Sequence, residues 1–212
     1  MEEKQSTHGM SGDEQIGDGV YEIPEGVQFI DKTDLPNREE IRILYLPKST
    51  VWIREGALAD MPRLERVVGP VYRICKRAFS GCTALREVVL RGVEAIEEEA
   101  FADCTSLERV VIGKSATMEL APYIFSGASE RFTVEYGGTR AQFQAIDSAV
   151  VGKKTVGWSG DYYHPSSSHF EEIKANIYAP VFSVRSGKFV CTVVCADGEL
   201  SYPSVEYIEW SN

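Results

Sequence analysis

A phenylalanine or leucine recurs five times in this chain at nearly constant spacing. The anchors are Leu35, Leu58, Phe79, Phe101 and Phe125, separated by 23, 21, 22 and 24 residues. Two copies, AFSGCTALREVVL from Ala78 and AFADCTSLERVVI from Ala100, are almost the same sentence written twice. A period of this length predicts a solenoid, because one such unit cannot bury its apolar face alone and must stack on its neighbours.

Numbering from each anchor as zero gives the interior. Position six holds Ile41, Leu64, Leu85 and Leu107, and fails at Arg131. Position nine holds Leu44, Val67, Val88, Val110 and Val134. Position eleven holds Leu46, Gly69, Leu90, Ile112 and Tyr136. Apolar residues two apart with something else between are the mark of a strand with one buried face. Five residues before each anchor stand Ile30, Ile53, Ile74, Ile96 and Leu120. The segments just before the anchors are too short for α-helices and are expected to form one-turn or 3₁₀ helices, with Glu97, Glu98 and Glu99 as a solvated cap.

Position three contains Cys82 and Cys104, one repeat apart. They form either a disulfide or two small thiols filling the same notch in successive coils. Five cysteines, an odd number at no metal-ligand spacing, do not make a disulfide framework. Cys191 and Cys195 share one side of a strand-like run, and Cys75 stands alone.

The pattern I-x4-AF-x2-C-x2-L-x2-V-x-[IL], seen best in IEEEAFADCTSLERVVI (96–112), resembles the BspA-type, or Treponema pallidum-type, leucine-rich repeat. IPEGVQFI (23–30) and LPKSTVWI (46–53) resemble that family's proline-containing link between coils. YGGTRAQFQAI (136–146) resembles its short helical closing element, and VCADGEL (194–200) its terminal strand. The resemblance covers about residues 20–140. It implies a right-handed leucine-rich-repeat solenoid, mostly β with short helical turns and a parallel sheet, followed by a β-rich C-terminal cap or small subdomain. It also implies a surface or secreted binding and adhesion protein of a host-associated microbe.

The chain divides accordingly. Residues 1–19 are polar and acidic and read as a loose tail. Residues 20–147 are the solenoid of about five repeats with its helical cap, N-capped by Thr139. Residues 148–212 form a β-rich region with candidate strands at 149–157, 176–184 and 188–196, and a turn at Ser186-Gly187.

Charge limits the partners. Asp and Glu number 32 against 22 Lys and Arg, a net charge of −10. Phosphate backbones need a basic footprint, so nucleic acid is not an expected partner. No apolar run is long enough to insert in a membrane as a helix. The N-terminal residues lack the form of a signal peptide, in tension with the export that the resemblance implies.

Three surfaces are candidates for function. Position seven (Arg42, Glu65, Arg86, Glu108) and position eight (Ile43, Arg66, Glu87, Arg109) alternate in sign from coil to coil, as cross-strand charge ladders do. Between the buried positions nine and eleven, position ten reads Tyr45, Val68, Val89 and Val111 before Glu135. That column is either an outward apolar ridge for a partner or simply the β-preference of branched residues. A loop containing Trp158, Tyr162, Tyr163, His164, His169 and Phe170 can stack on a sugar or peptide. Its two histidines lack the helix of a metal-binding HExxH motif.

The expected partner-binding residues are thus Tyr45, Arg66, Val68, Val89, Arg109, Val111, Trp158 and Tyr163. No catalytic, metal-binding or cofactor-binding residue is expected, since no nucleophile elbow or phosphate-cradling loop is present. The partner is an unidentified protein or glycan. The alternative is an assembly component that self-associates through a solenoid end or β-edge.

Overall fold

The computed structural model describes residues 17–115, 118–146, 182–184, 188–203 and 205–206. Its strands in chain order begin with β1 (Val20–Glu22), β2 (Phe29–Ile30), β3 (Ile43–Tyr45), β4 (Trp52–Ile53) and β5 (Arg66–Pro70). They continue with β6 (Arg73–Ile74), β7 (Glu87–Arg91), β8 (Ala95–Ile96), β9 (Arg109–Ile112) and β10 (Glu119–Leu120). The last are β11 (Arg131–Tyr136), β12 (Ser183–Val184), β13 (Val190–Cys195), β14 (Gly198–Pro203) and β15 (Val205–Glu206). One short helix, α1, covers 140–146.

Each coil contributes one strand to a long sheet and one to a short sheet. The long sheet runs β1-β3-β5-β7-β9-β11-β13-β14, and the short one β2-β4-β6-β8-β10. All pairs in both are parallel except β13–β14. A separate pair, β12–β15, is also parallel. The registers join equivalent repeat positions, for example Val67↔Val88 and Val88↔Val110.

The interior is the one read from the period. In the third coil Ile74, Phe79, Cys82, Leu85, Val88 and Leu90 are all fully buried. A buried aliphatic side chain contributes about 1.5–3 kcal/mol, which one coil alone cannot realise because both its flat faces would meet water. The anchors Phe79, Phe101 and Phe125 stack at centroid separations of 5.0 and 5.6 Å, nearly coplanar. Where position six fails, Arg131 is exposed and Phe132 turns inward instead. It packs on Phe125 at 4.8 Å, so β11 starts earlier and alternates from its first residue. All five cysteines are free. Cys82 and Cys104 fill one notch, their thiols donating to the carbonyls of Leu58 and Phe79 in the preceding coil. Cys191 and Cys195 are both buried from one face of β13.

The side bearing the anchors differs from expectation. Short 3₁₀ helices occur at Lys32–Asp34 and Arg38–Glu40. Around the later anchors the backbone instead forms turns with left-handed residues two before and two after the anchor. Arg77, Glu99 and Tyr123 occupy the first column with φ of 54, 56 and 60°, and Asp60 and Asp103 the second with 56 and 57°. A left-handed residue with a side chain costs roughly 1–2 kcal/mol. A third hydrogen-bond ladder offsets it: the N–H groups of Leu58, Phe79 and Phe101 donate to Ala78, Ala100 and Ile124 of the next coil at 2.8–2.9 Å. With no helix there, Glu97, Glu98 and Glu99 do not cap one. Glu98 and Glu99 are buried and paired with Lys76 and Arg77 of the preceding coil, and Glu97 accepts from Arg73 and the Lys76 N–H.

The C-terminal end is closed by α1 and the β13–β14 hairpin. The Thr139 hydroxyl accepts from Gln142 N–H and the Gln142 side chain accepts from Thr139 N–H, a reciprocal cap. Phe143 and Ile146 are buried over the last coil. Asp197, in the hairpin turn, accepts from Arg140 N–H, and Ala196 N–H donates to Gly138. β13 pairs in parallel with β11, so the hairpin continues the long sheet and then reverses its direction. Of the expected C-terminal strands, 149–157 and most of 176–184 lie outside the described residues, as does the Ser186-Gly187 turn.

Candidate functional site: two outward sheet faces

On the long sheet the expected charge ladders are built. Arg42 holds Glu65 through Nε and Nη2 at 2.9 and 3.1 Å, and Arg86 holds Glu108 at 2.7 Å. In the next column Arg66 Nε lies 2.5 Å from Glu87, and Arg109 Nη1 donates to the same carboxylate at 2.5 Å. Arg109 also grips Glu135 with Nε and Nη2 at 2.6 and 2.7 Å. The forked contacts of Arg42 on Glu65 and of Arg109 on Glu135 match the guanidinium to the carboxylate geometry. Such hydrogen bonds raise the Arg109 pKa, first through Glu135 and then through Glu87, and they hold the Glu135 carboxyl below the usual carboxylate range. Glu65 is lowered likewise by its hydrogen bond from Arg42.

Between these ladders stand Tyr45, Val68, Val89 and Val111, aligned by the registers Tyr45↔Val68, Val68↔Val89 and Val89↔Val111. All four are half-buried, as are Arg66 and Arg109. The strip is continuous, and its apolar character ends at Glu135, the partner of Val111 in β11. Trp158 and Tyr163 lie outside the described residues, with His164 and His169.

The short sheet carries a feature that the position-by-position reading passed over. The column one residue before its buried aliphatic residues is Phe29↔Trp52↔Arg73↔Ala95↔Glu119, of which Ala95 is itself buried. Among the described residues the large exposed apolar side chains are Phe29 (40%), Trp52 (41%) and Tyr72 (50%), all in its first three strands or beside them. Phe29 and Trp52 meet edge-to-face at 5.5 Å and 73°. Arg54 lies over the Phe29 ring at 5.4 Å and Arg73 over the Trp52 ring at 5.8 Å. The period gives the direction but not the residue types: Phe29, Trp52 and Arg73 sit one residue before the buried Ile30, Ile53 and Ile74, and so point out.

A groove of about 510 Å³ runs along the turn side. The small residues Ala59, Ser80, Ala102 and Ser126 line it together with charges of both signs. Among the described residues no cluster of His, Cys, Asp or Glu can hold a metal ion, and no helix is long and apolar enough to cross a membrane.

Residues 20–131 match the BspA type leucine-rich repeat region, in six copies. The chain belongs to that family. A solved leucine rich cell surface protein from Faecalibacterium prausnitzii A2-165 is similar, with 28% identity and a TM-score of 0.51. The match covers 61% of this chain and 35% of that one, so this leucine-rich-repeat protein spans about a third of its relative's length. No curated protein matches it. The expected fold, a solenoid of parallel coils with a short helical cap, is the fold of this family member; the segment 194–200, read as a single terminal strand, instead contains the turn of the antiparallel β13–β14 hairpin.

Proposed function

We propose that this leucine-rich-repeat protein is a non-catalytic binding module of the cell surface, engaging a protein or glycan through the outward face of its long sheet. The carrying observation is the strip Tyr45–Val68–Val89–Val111, a continuous apolar column on parallel strands bordered by ion pairs. Arg66 and Arg109 are its polar edge, and Trp158 and Tyr163 are a second contact region. Exposed pairs of this kind are worth only about 0–1 kcal/mol each in stability. They hold adjacent coils in register and keep the strip straight. The surface location is suggested by the solved relative, which is a cell surface protein. Catalysis has no support in the described residues, where the buried thiols of Cys82 and Cys104 are pushed up in pKa by burial and lack an activating base.

The test is a glycan array and a pull-down on the intact chain beside its Val89→Lys and Val111→Lys variants. Binding that falls at least about tenfold in both supports the strip. Binding that is unchanged in both removes it.

A further inference from the structure

On the short sheet two arginines lie over exposed aromatic rings, and that arrangement points to a second docking surface. On the long sheet Arg42 and Arg109 are forked onto carboxylates, while Arg66 and Arg86 each touch one through a single nitrogen. On the short sheet Arg54 touches Asp31 through one nitrogen at 3.4 Å, and Arg73 touches Glu97 through one nitrogen at 3.0 Å. A guanidinium has five N–H donors. Most donors of Arg54 and Arg73 have no acceptor among the described residues, and the Arg73 Nε–H is buried without one. Both instead lie over aromatic rings.

The composition of the patch is local. A column that only served stacking would repeat along the solenoid, yet this one changes from Phe29 and Trp52 to Ala95 and Glu119. The aromatic residues are confined to its N-terminal end, together with Tyr72. Exposed Trp, Tyr and Arg side by side is the composition of binding hot spots.

We infer that Phe29, Trp52 and Tyr72, with Arg54 and Arg73, form an anchor site for an extended polypeptide segment that presents carboxylate or carbonyl oxygens beside an apolar side chain. The ring arrangement selects protein over sugar. A sugar stacks on an open ring face, whereas here Arg54 lies over Phe29, Arg73 lies over Trp52, and the two rings lean on each other. That leaves less open face on Phe29 and Trp52 and more ring edge, which is electropositive, beside the exposed Tyr72 and spare guanidinium N–H groups. Electron-rich oxygens complement that set, and an aliphatic side chain fills the angle between the two rings. This site is independent of the long-sheet strip.

The experiment is selection of phage-displayed random dodecapeptides on the immobilised intact chain, followed by affinity measurement of synthetic winners. Winners are expected to place Asp or Glu next to an aliphatic residue. Trp52→Ala is expected to weaken them at least about tenfold, and the double change Arg54→Ala, Arg73→Ala to weaken them and flatten their salt dependence. Glu108→Gln, on the other sheet, is expected to leave them unchanged. The double arginine variant removes no ring, so it decides the matter even if Trp52→Ala disturbs folding, which a circular-dichroism melt reports. Failure to enrich any peptide overturns the inference. So do winners indifferent to the arginine pair, and so does heparin binding that needs these residues when no peptide does.

Discussion

In the later coils of this solenoid large rings stack inside; in the first two coils Tyr21 is buried but two other ring systems stand outside. Phe79, Phe101 and Phe125 stack within the core, while the short-sheet positions in β8 and β10 that match Phe29 and Trp52 hold Ala95, which is buried, and Glu119. The first two anchors are Leu35 and Leu58, and there the rings of Phe29 and Trp52 face solvent. Strand order and register are shared by both halves. One repeat therefore serves two ends, a dense interior in one half and a sticky exterior in the other, by placing its rings at the turn-side anchor or on the short sheet six residues earlier.

The contrast breaks most sharply in the interior. Phe101→Ala removes the middle ring of the stack and is expected to cost about 3–5 kcal/mol in denaturant unfolding. A loss under about 1 kcal/mol would mean that the stack is not what holds those coils. Gly69 stands between the halves. A Cβ there would lie 2.6 Å from Leu46 Cβ, and its φ of 149° disfavours a side chain. Gly69→Ala should therefore destabilise by about 1–3 kcal/mol, against the usual gain from replacing glycine. Trp52→Ala, outside the core, should cost less than about 1 kcal/mol, mainly ring and cation–π contacts. A larger loss would make the outer rings structural and weaken the docking reading.

Smaller effects sharpen the charge contrast. The folded Glu135 carboxyl titrates below its unfolded value because of Arg109. Its contribution to stability is therefore present above the ordinary carboxylate range and is lost as pH falls through the depressed value. Melting temperature followed from neutral pH to pH ~3 should drop more steeply in the parent chain than in Glu135→Gln. The smallest effect concerns the thiols. Burial pushes Cys82 up to about 12, whereas Cys75 is half-buried and raised less. Iodoacetamide at mildly alkaline pH should reach Cys75 in the folded chain and spare Cys82 and Cys104, with little change in melting temperature.

Much of this was legible because a solenoid converts sequence spacing directly into spatial adjacency. The five anchors, the isoleucine column and positions nine and eleven all took their places from period alone. Even the failure at Arg131 was visible, though not that Phe132 would replace it, since that needs β11 to lengthen. The turn side was misread: bulky residues such as Arg77 and Tyr123 do not advertise left-handed backbone, and only the inter-coil ladder makes it tolerable. The buried Glu98 and Glu99 were missed for a similar reason, because their partners Lys76 and Arg77 lie one coil back. The aromatic patch was not legible from the period because its column does not repeat: Phe29 and Trp52 give way to Arg73, Ala95 and Glu119.

The ladders have a consequence for how the molecule comes together. Partners across coils are 21 to 26 residues apart whichever coil is chosen. Among these coils no closure of a long loop is required, unlike the β11–β13 pairing of Arg131 with Val190, so their growth is a zipper that starts wherever one interface forms first and adds a turn at a time. The phenylalanine stack makes the central interface the natural seed. Zipping outward from it reaches the first coils after the central ones. The aromatic–arginine surface spans three successive turns there, at β2, β4 and β6, and a partner seated across them would clasp the zipper along its side.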